Sequence, residues 1–277
     1  MEPVTLPNGE QIPALGLGTW GLGENPARRR DEIASVRLGV ELGVTLVDTA
    51  EMYGEGLTEQ FLGEALTGLR DRVFLVSKVY PHHASRKGVV RACEQSLRRL
   101  GTDRLDLYLL HWRGGEPLAE TVAGFEALRA AGKIRHWGVS NFDTEDLEEL
   151  FALPEGRACA VNQVLYNLTR RGPEFDLLPW MEGHAVPLMA YSPLEQARLD
   201  PGGALAEIAA QHGVTPWQVA LAWVLRRPGT IAIPKAAKAE HQRANHAAQS
   251  LSLTAAELAR IDARFAPPRR KRALEML

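Results

Sequence analysis

The sequence has only two cysteines, Cys93 and Cys159, far apart and in apolar patterns. That argues against a disulfide framework and for buried thiols in a reducing compartment. No apolar run approaches a membrane span, and the first residues lack the basic-then-apolar order of a secretory signal. Neither sign of charge dominates: the formal net charge is −2, so no overall basic field points to nucleic acid. No composition break marks a linker, so the chain reads as one domain over residues 1–277. His82 and His83 follow Pro81 with no further ligands at metal spacing, so they read as exposed loop residues and no metal site is expected. The expectation is a cytoplasmic protein without membrane or nucleic-acid partners, and a monomer. The basic run Arg269-Arg270-Lys271-Arg272 reads as a solvated tail.

What is present is alternation. Val4-Thr5-Leu6 and Glu10-Gln11-Ile12 flank Asn8-Gly9, a strong hairpin signal. A Gly-rich strand follows over 14–20, then a helix with Ile33, Val36 and Val40 on one face and Gly43 closing it. From there apolar strands and helix-period segments take turns. The strands end at Asp48, Lys78, His111, Asn141, Tyr166, Tyr191 and Ile233. Helices are expected over 57–69, from Ser85, and around Leu118–Leu128, Leu147–Phe151 and Leu177–Met181. Thr215-Pro216-Trp217-Gln218 and Thr254-Ala255-Ala256-Glu257 are capping boxes that open two more. Strands this apolar are buried on both faces, which implies a parallel sheet. Eight such units predict an α/β fold: a (β/α)8 TIM barrel with an N-terminal β-hairpin and extra C-terminal helices.

Asp48, Lys78, His111, Ser140-Asn141, Gln163, Tyr191-Ser192 and Lys235 stand where apolar strands give out at their C-terminal ends. Barrel enzymes build their sites on that face. A carboxylate ending a buried strand needs a cationic or hydrogen-bonding partner. Asp48, Tyr53, Lys78 and His111 together suit proton transfer. A Tyr titrates near 10 when free, and an adjacent ammonium lowers that value. Gly16-Leu17-Gly18-Thr19-Trp20-Gly21 matches the dinucleotide pattern G-x-G-x-x-G, but no helix opens inside it: Gly21, Gly23 and Pro26 keep the chain irregular. It reads as the first loop of the barrel, with Trp20 overhanging the mouth.

At this point the residues match a family. LGLGTW at 15–20, VDTAEMYG at 47–54, SK at 77–78, LDLYLLHW at 105–112, GKIRHWGVSNF at 132–142, NQVLYN at 162–167, YSPL at 191–194 and AIPKA at 232–236 fall in order. Along nearly its whole length the chain resembles the aldo-keto reductases, NAD(P)H-dependent barrel oxidoreductases. Within them it looks most like bacterial methylglyoxal-type aldehyde reductases.

The resemblance implies a catalytic tetrad of Asp48, Tyr53, Lys78 and His111, with Tyr53 as general acid. It implies cofactor contacts at Gly18, Thr19, Trp20 and Asp48 in the first two units. Ser140, Asn141 and Gln163 would meet the nicotinamide amide, with Tyr191 stacked on the ring. Ser192 and Leu194 would contact the pyrophosphate, and Lys235, His241 and Asn245 the adenosine end. Here the sequence departs from its family: His241 replaces the usual Arg that grips the 2′-phosphate, Ala244 the usual Glu and Ala236 the usual Ser. Lys235 and Lys238 remain to meet the phosphate as point charges, so NADPH is the expected cofactor, with NADH as the alternative. Trp20, Tyr53, Tyr80, His111, Trp112 and Phe142 would line a shallow pocket for a small carbonyl substrate. The rival readings are a non-catalytic NADPH-binding regulatory barrel and a Schiff-base aldolase using Lys78 or Lys235.

Overall fold

Asn8-Gly9 makes the turn that its sequence predicts. Gly9 sits at φ +89°, and β1 (Val4–Thr5) pairs antiparallel with β2 (Gln11–Ile12). Val4 and Ile12 are buried beneath it. Glu10 ties the hairpin to the barrel through Arg135 at 2.6 Å and His136 at 2.8 Å. This is a computed structural model, and it describes residues 2–277.

The barrel strands are β3 (Gly16–Gly18), β4 (Leu46–Asp48), β5 (Phe74–Val79), β6 (Leu105–Leu110), β7 (Ile134–Ser140), β8 (Asn162–Leu165), β9 (Leu188–Tyr191) and β10 (Thr230–Ala232). Each pairs parallel with the next in sequence. Parallel bridges Leu15–Ala232 and Gly18–Lys235 bring β3 back to β10 and close the ring. Closure explains the glycines. A Cβ at Gly16 would lie 3.0 Å from Ile233 Cγ2 across the closure and 2.5 Å from Leu46 Cδ2 on β4, and one at Gly18 would lie 2.6 Å from the Ile233 carbonyl oxygen. The Gly-x-Gly pattern is thus a seam between strands, not a phosphate loop.

The helices are α1 (Arg29–Glu41), α2 (Leu57–Ala65), α3 (Arg86–Leu100), α4 (Leu118–Ala130), α5 (Thr144–Phe151), α6 (Leu177–Gly183), α7 (Ala204–His212), α8 (Pro216–Leu225), α9 (Ala239–Ala248) and α10 (Ala255–Arg264). Both predicted capping boxes form, at Thr215 and Thr254. Helix α2 stops at Ala65, short of the predicted Leu69, and the chain turns at Gly68, φ +76°. Cys93 and Cys159 are free and buried. No helix among the described residues is long and apolar enough to cross a membrane. The basic tail is not wholly solvated: Lys271 docks between Asp176 at 2.9 Å and Asp143 at 3.4 Å. These are carboxylates beside α6 and α5, distant in sequence, so composition alone could not reveal them.

Candidate active site

Strand periodicity and barrel closure carry Asp48 and Lys78 to the interior at the C-terminal ends of β4 and β5. Both are buried, and Lys78 Nζ donates to Asp48 Oδ2 at 2.8 Å, the Thr49 carbonyl at 2.8 Å and the Tyr53 hydroxyl at 3.2 Å. An ammonium has three protons, and each has an acceptor here. That satisfaction makes a fully buried cation tolerable. Asp48 has a second partner, Gln163 Nε2 at 2.8 Å from Oδ1. Tyr53 enters from the loop after β4, where the chain turns sharply through Gly54 and Glu55 at φ +55° and +53°. His111 follows β6; its amide donates to the Val79 carbonyl at 3.0 Å, and its ring meets Tyr53 edge-on at 5.9 Å. All four residues of the predicted tetrad come together.

The electrostatics differ from the sequence expectation at one residue. Burial raises the Tyr53 phenol above its usual value; the Lys78 ammonium opposes this only in part, and Asp48 adds to the rise. An ammonium beside a phenol by itself lowers it, but here desolvation of the phenolate outweighs the cation. Burial pulls Lys78 down, yet Asp48 and Tyr53 outweigh it, so the amine is held charged. Burial, reinforced by Lys78, pushes His111 down to about 2, so its imidazole is neutral. Its Nδ1 is buried without a protein partner.

Beside the tetrad lies a second cluster. Ser140 Oγ donates to the Gln163 carbonyl at 2.8 Å. Asn141 Nδ2 donates to the His111 carbonyl at 3.1 Å, and the Tyr191 hydroxyl donates to Asn141 Oδ1 at 3.1 Å. Asn141 adopts φ +57°, a left-handed geometry that Asn tolerates better than most residues. Four of the expected nicotinamide contacts, Ser140, Asn141, Gln163 and Tyr191, thus form one hydrogen-bonded group. Trp20 is 51% exposed at the rim, with Lys235 Nζ 5.9 Å from its ring centroid. Tyr80 and Trp112 meet edge-on at 5.9 Å.

Three expectations need correction. Phe142 is wholly buried, so its ring offers no surface as a pocket wall; the residue after a strand can turn inward as readily as outward. Thr19 is also fully buried, and its hydroxyl is spent on the Asp48 carbonyl at 2.9 Å, so it braces the strand end instead of facing the cleft. Gly18 is packed against Ile233 and serves the seam. Of the residues expected at the adenosine end, Asn245 is buried on α9 while His241 is exposed on the same helix.

Sequence reasoning missed the turn after β9. Ser192, Glu195, Gln196 and Ala197 have φ of +46°, +48°, +53° and +63°, and none is glycine. Each such residue costs about 1–2 kcal/mol. Glu195 is buried in this turn against Arg170 and Asn167. Burial would raise its carboxyl, but hydrogen bonds from Arg170 and Asn167 hold it below the usual range. A run of non-glycine residues carries no left-handed signature, so only the polar cluster closing NQVLYN and continuing to Arg170 hinted at a partner.

Comparison with known proteins places this geometry. The model of the Aldo/keto reductase family matches residues 14–264. A methylglyoxal reductase, YeaE, from Escherichia coli (strain K12) is 54% identical over 271 residues, covering 96% of this chain and 95% of its own. A glyoxal reductase from Bacillus subtilis (strain 168) is 36% identical, covering 87% of this chain and 84% of its own. A crystal structure of an aldo-keto reductase from Klebsiella pneumoniae in complex with NADPH superposes with a TM-score of 0.97 at 51% identity, covering 100% of both chains.

Proposed function

The chain belongs to the aldo/keto reductase family, and we propose that it is an NADPH-dependent oxidoreductase that reduces small aldehydes, ketones or dicarbonyls of the methylglyoxal kind to alcohols. The observation that carries this reading is the triple engagement of Lys78, with Asp48 at 2.8 Å on one side and the Tyr53 hydroxyl at 3.2 Å on the other, beside a neutral His111.

The residues present fit the cofactor. Gln163 gives its Nε2 to Asp48, which leaves its amide oxygen to accept from a carboxamide. Ser140 and Asn141 supply further polar atoms beside it, and the Tyr191 ring supplies a flat apolar face. When bound, NADPH supplies the hydride. The chain's own residues manage the proton. Tyr53 gives its phenolic proton to the substrate oxygen as negative charge builds there. Its raised pKa keeps that proton in place at neutral pH. The Lys78 ammonium meets the phenolate left behind, and Asp48 keeps Lys78 charged and aimed. A neutral imidazole N–H of His111 holds the carbonyl oxygen without competing for the proton. Positioning and acid catalysis of this kind each contribute on the order of 10²-fold or more.

An aldolase would need a neutral lysine. Lys78 is held charged, which counts against that reading. A regulatory barrel would not need the tetrad, which is complete. The same reading has one domain acting in the cytoplasm as a monomer, without nucleic acid, membrane or metal. The test is NADPH consumption with purified protein over a panel of carbonyls, without added metal. Turnover of methylglyoxal or a similar small aldehyde is expected. Activity lost to a chelator and restored by zinc, or borohydride trapping of substrate on Lys78 or Lys235, would overturn the mechanism.

A further inference from the structure

The turn after β9 is left-handed over Glu195, Gln196 and Ala197, with Ser192 also at positive φ. L-residues avoid this region, and such geometry persists only where the surroundings over-determine it. The surroundings here are specific. Asn167 Nδ2 donates to the Ser192 carbonyl at 2.9 Å and to Glu195 Oε2 at 2.7 Å, so one amide spans the start of the turn. Arg170 reaches the same carboxylate through Nη2 at 2.8 Å and Nε at 3.2 Å. Arg170 is itself anchored by Glu275 at 2.6 Å. Glu195 has 8% of its side chain exposed and Arg170 31%, so the carboxylate is largely shielded from salt while the guanidinium is only partly so.

We infer that Glu195 is a positioning residue for the cofactor: with Asn167 and Arg170 it locks the turn after β9 in the left-handed form that presents Ser192 and Leu194 to the diphosphate. The inference rests on the cofactor reading above. A bare carboxylate beside a diphosphate would repel it, whereas Arg170, which Glu195 shares with Glu275, and Arg198 Nη2 at 3.7 Å offset that charge. The diphosphate is common to NADPH and NADH, so the clasp serves both alike. Lys235, Lys238 and His241 would serve only the 2′-phosphate.

The test uses the full-length chain and its variants Glu195→Ala and Glu195→Gln. NADPH and NADH are titrated by fluorescence quenching, with kcat, carbonyl KM and Tm followed in parallel. Glu195→Ala should weaken both cofactors by the same factor, about tenfold, the size expected for losing a charged hydrogen-bond pair. Glu195→Gln keeps an acceptor for Asn167 and should recover part of that loss. At saturating NADPH, kcat should fall less than about threefold and the carbonyl KM should stay put, because the tetrad is untouched. A role in folding alone would lower Tm and leave both dissociation constants unchanged, which would overturn the inference. So would weakening of NADPH but not NADH. If Glu195→Ala does not fold, Glu195→Gln decides: equal weakening of both cofactors supports the clasp, and no change overturns it. Failure of the wild-type chain to bind either cofactor would instead overturn the functional reading.

Discussion

The two ends of the proposed cofactor cleft handle charge in opposite ways. At the tetrad, Lys78 has no exposed side-chain surface, and its proton acceptors lie at 2.8–3.2 Å. At the proposed adenosine end, Lys238 and His241 are 70% and 58% exposed, and among the described residues the carboxylate within 4.0 Å of each is Glu240, at 3.7 and 3.6 Å. The buried end is pre-organised: its charges point before substrate arrives, and water cannot screen them. The exposed end is a loose set of point charges competing with solvent and with their own neighbour. Chemistry should therefore be unforgiving of change, and cofactor choice tunable.

The largest break in this contrast is Lys78→Met. It removes the phenol's cation and strands the Asp48 carboxylate in the interior. Leaving one partner of a buried pair behind costs about 3–5 kcal/mol of stability. We expect kcat to fall at least about 10²-fold and denaturant unfolding to shift by that amount. Adding Asp48→Asn should restore much of the stability and none of the rate. If it restores both, Lys78 is a structural ion pair and not part of the acid.

Tyr53→Phe separates chemistry from stability. It removes the transferable proton and keeps the ring, so kcat should fall by at least about 10² with NADPH binding nearly unchanged. Near wild-type turnover, with hydride transfer shown to limit the rate, would remove Tyr53 from its role. The pH profile sharpens the same point. His111 is depressed to about 2 and stays neutral through the working range, so no inflection is expected near 6.5, the value of a free imidazole. Tyr53 is raised above 10, so it loses its proton only at alkaline pH. Reductive kcat should be flat from about pH 5 to 9, then fall about tenfold per unit above the Tyr53 pKa. A break near 6.5 that disappears in His111→Asn would show that the imidazole titrates during turnover.

The same contrast explains what could be read from the sequence. Asp48, Lys78 and His111 were legible because each stands where an apolar strand gives out and a polar residue needs a reason; Tyr53, in the loop after β4, was legible only through the VDTAEMYG resemblance. The barrel was legible because eight buried strands alternate with helices that carry visible caps. Side-chain direction just beyond a strand was not: Phe142 and Thr19 turn inward, and no periodicity extends past the last paired residue. The sign of the Tyr53 shift was not either, because it depends on how deeply the phenol is buried as well as on the cation beside it. Glu195 pairs with a residue 25 positions away, across a turn without glycine, and long-range ion pairs leave no local pattern.

The smallest effects belong to the exposed end. A guanidinium clamps a phosphate through paired, fixed donors, whereas ammonium groups act as mobile point charges. With His241 where the family commonly has Arg, preference for NADPH over NADH should be real, modest and weaker at high salt. His241→Arg should tighten NADPH by about 1 kcal/mol, one charge-assisted hydrogen bond after desolvation, and leave NADH unchanged. Glu240 limits that gain, since it sits 3.6 Å from His241 Nε2 and would draw a new guanidinium toward itself. Glu240→Gln alone should therefore favour NADPH by only a few tenths of a kcal/mol, the scale of an exposed pair. Combined with His241→Arg, it should give more than the sum of the two, because the freed guanidinium no longer has a rival acceptor. Fluorescence titration of both cofactors on the four proteins at two salt concentrations measures each quantity. Strict additivity would mean that Glu240 does not compete for residue 241. Equal tightening of NADH in His241→Arg would mean that α9 turns this position away from the 2′-phosphate.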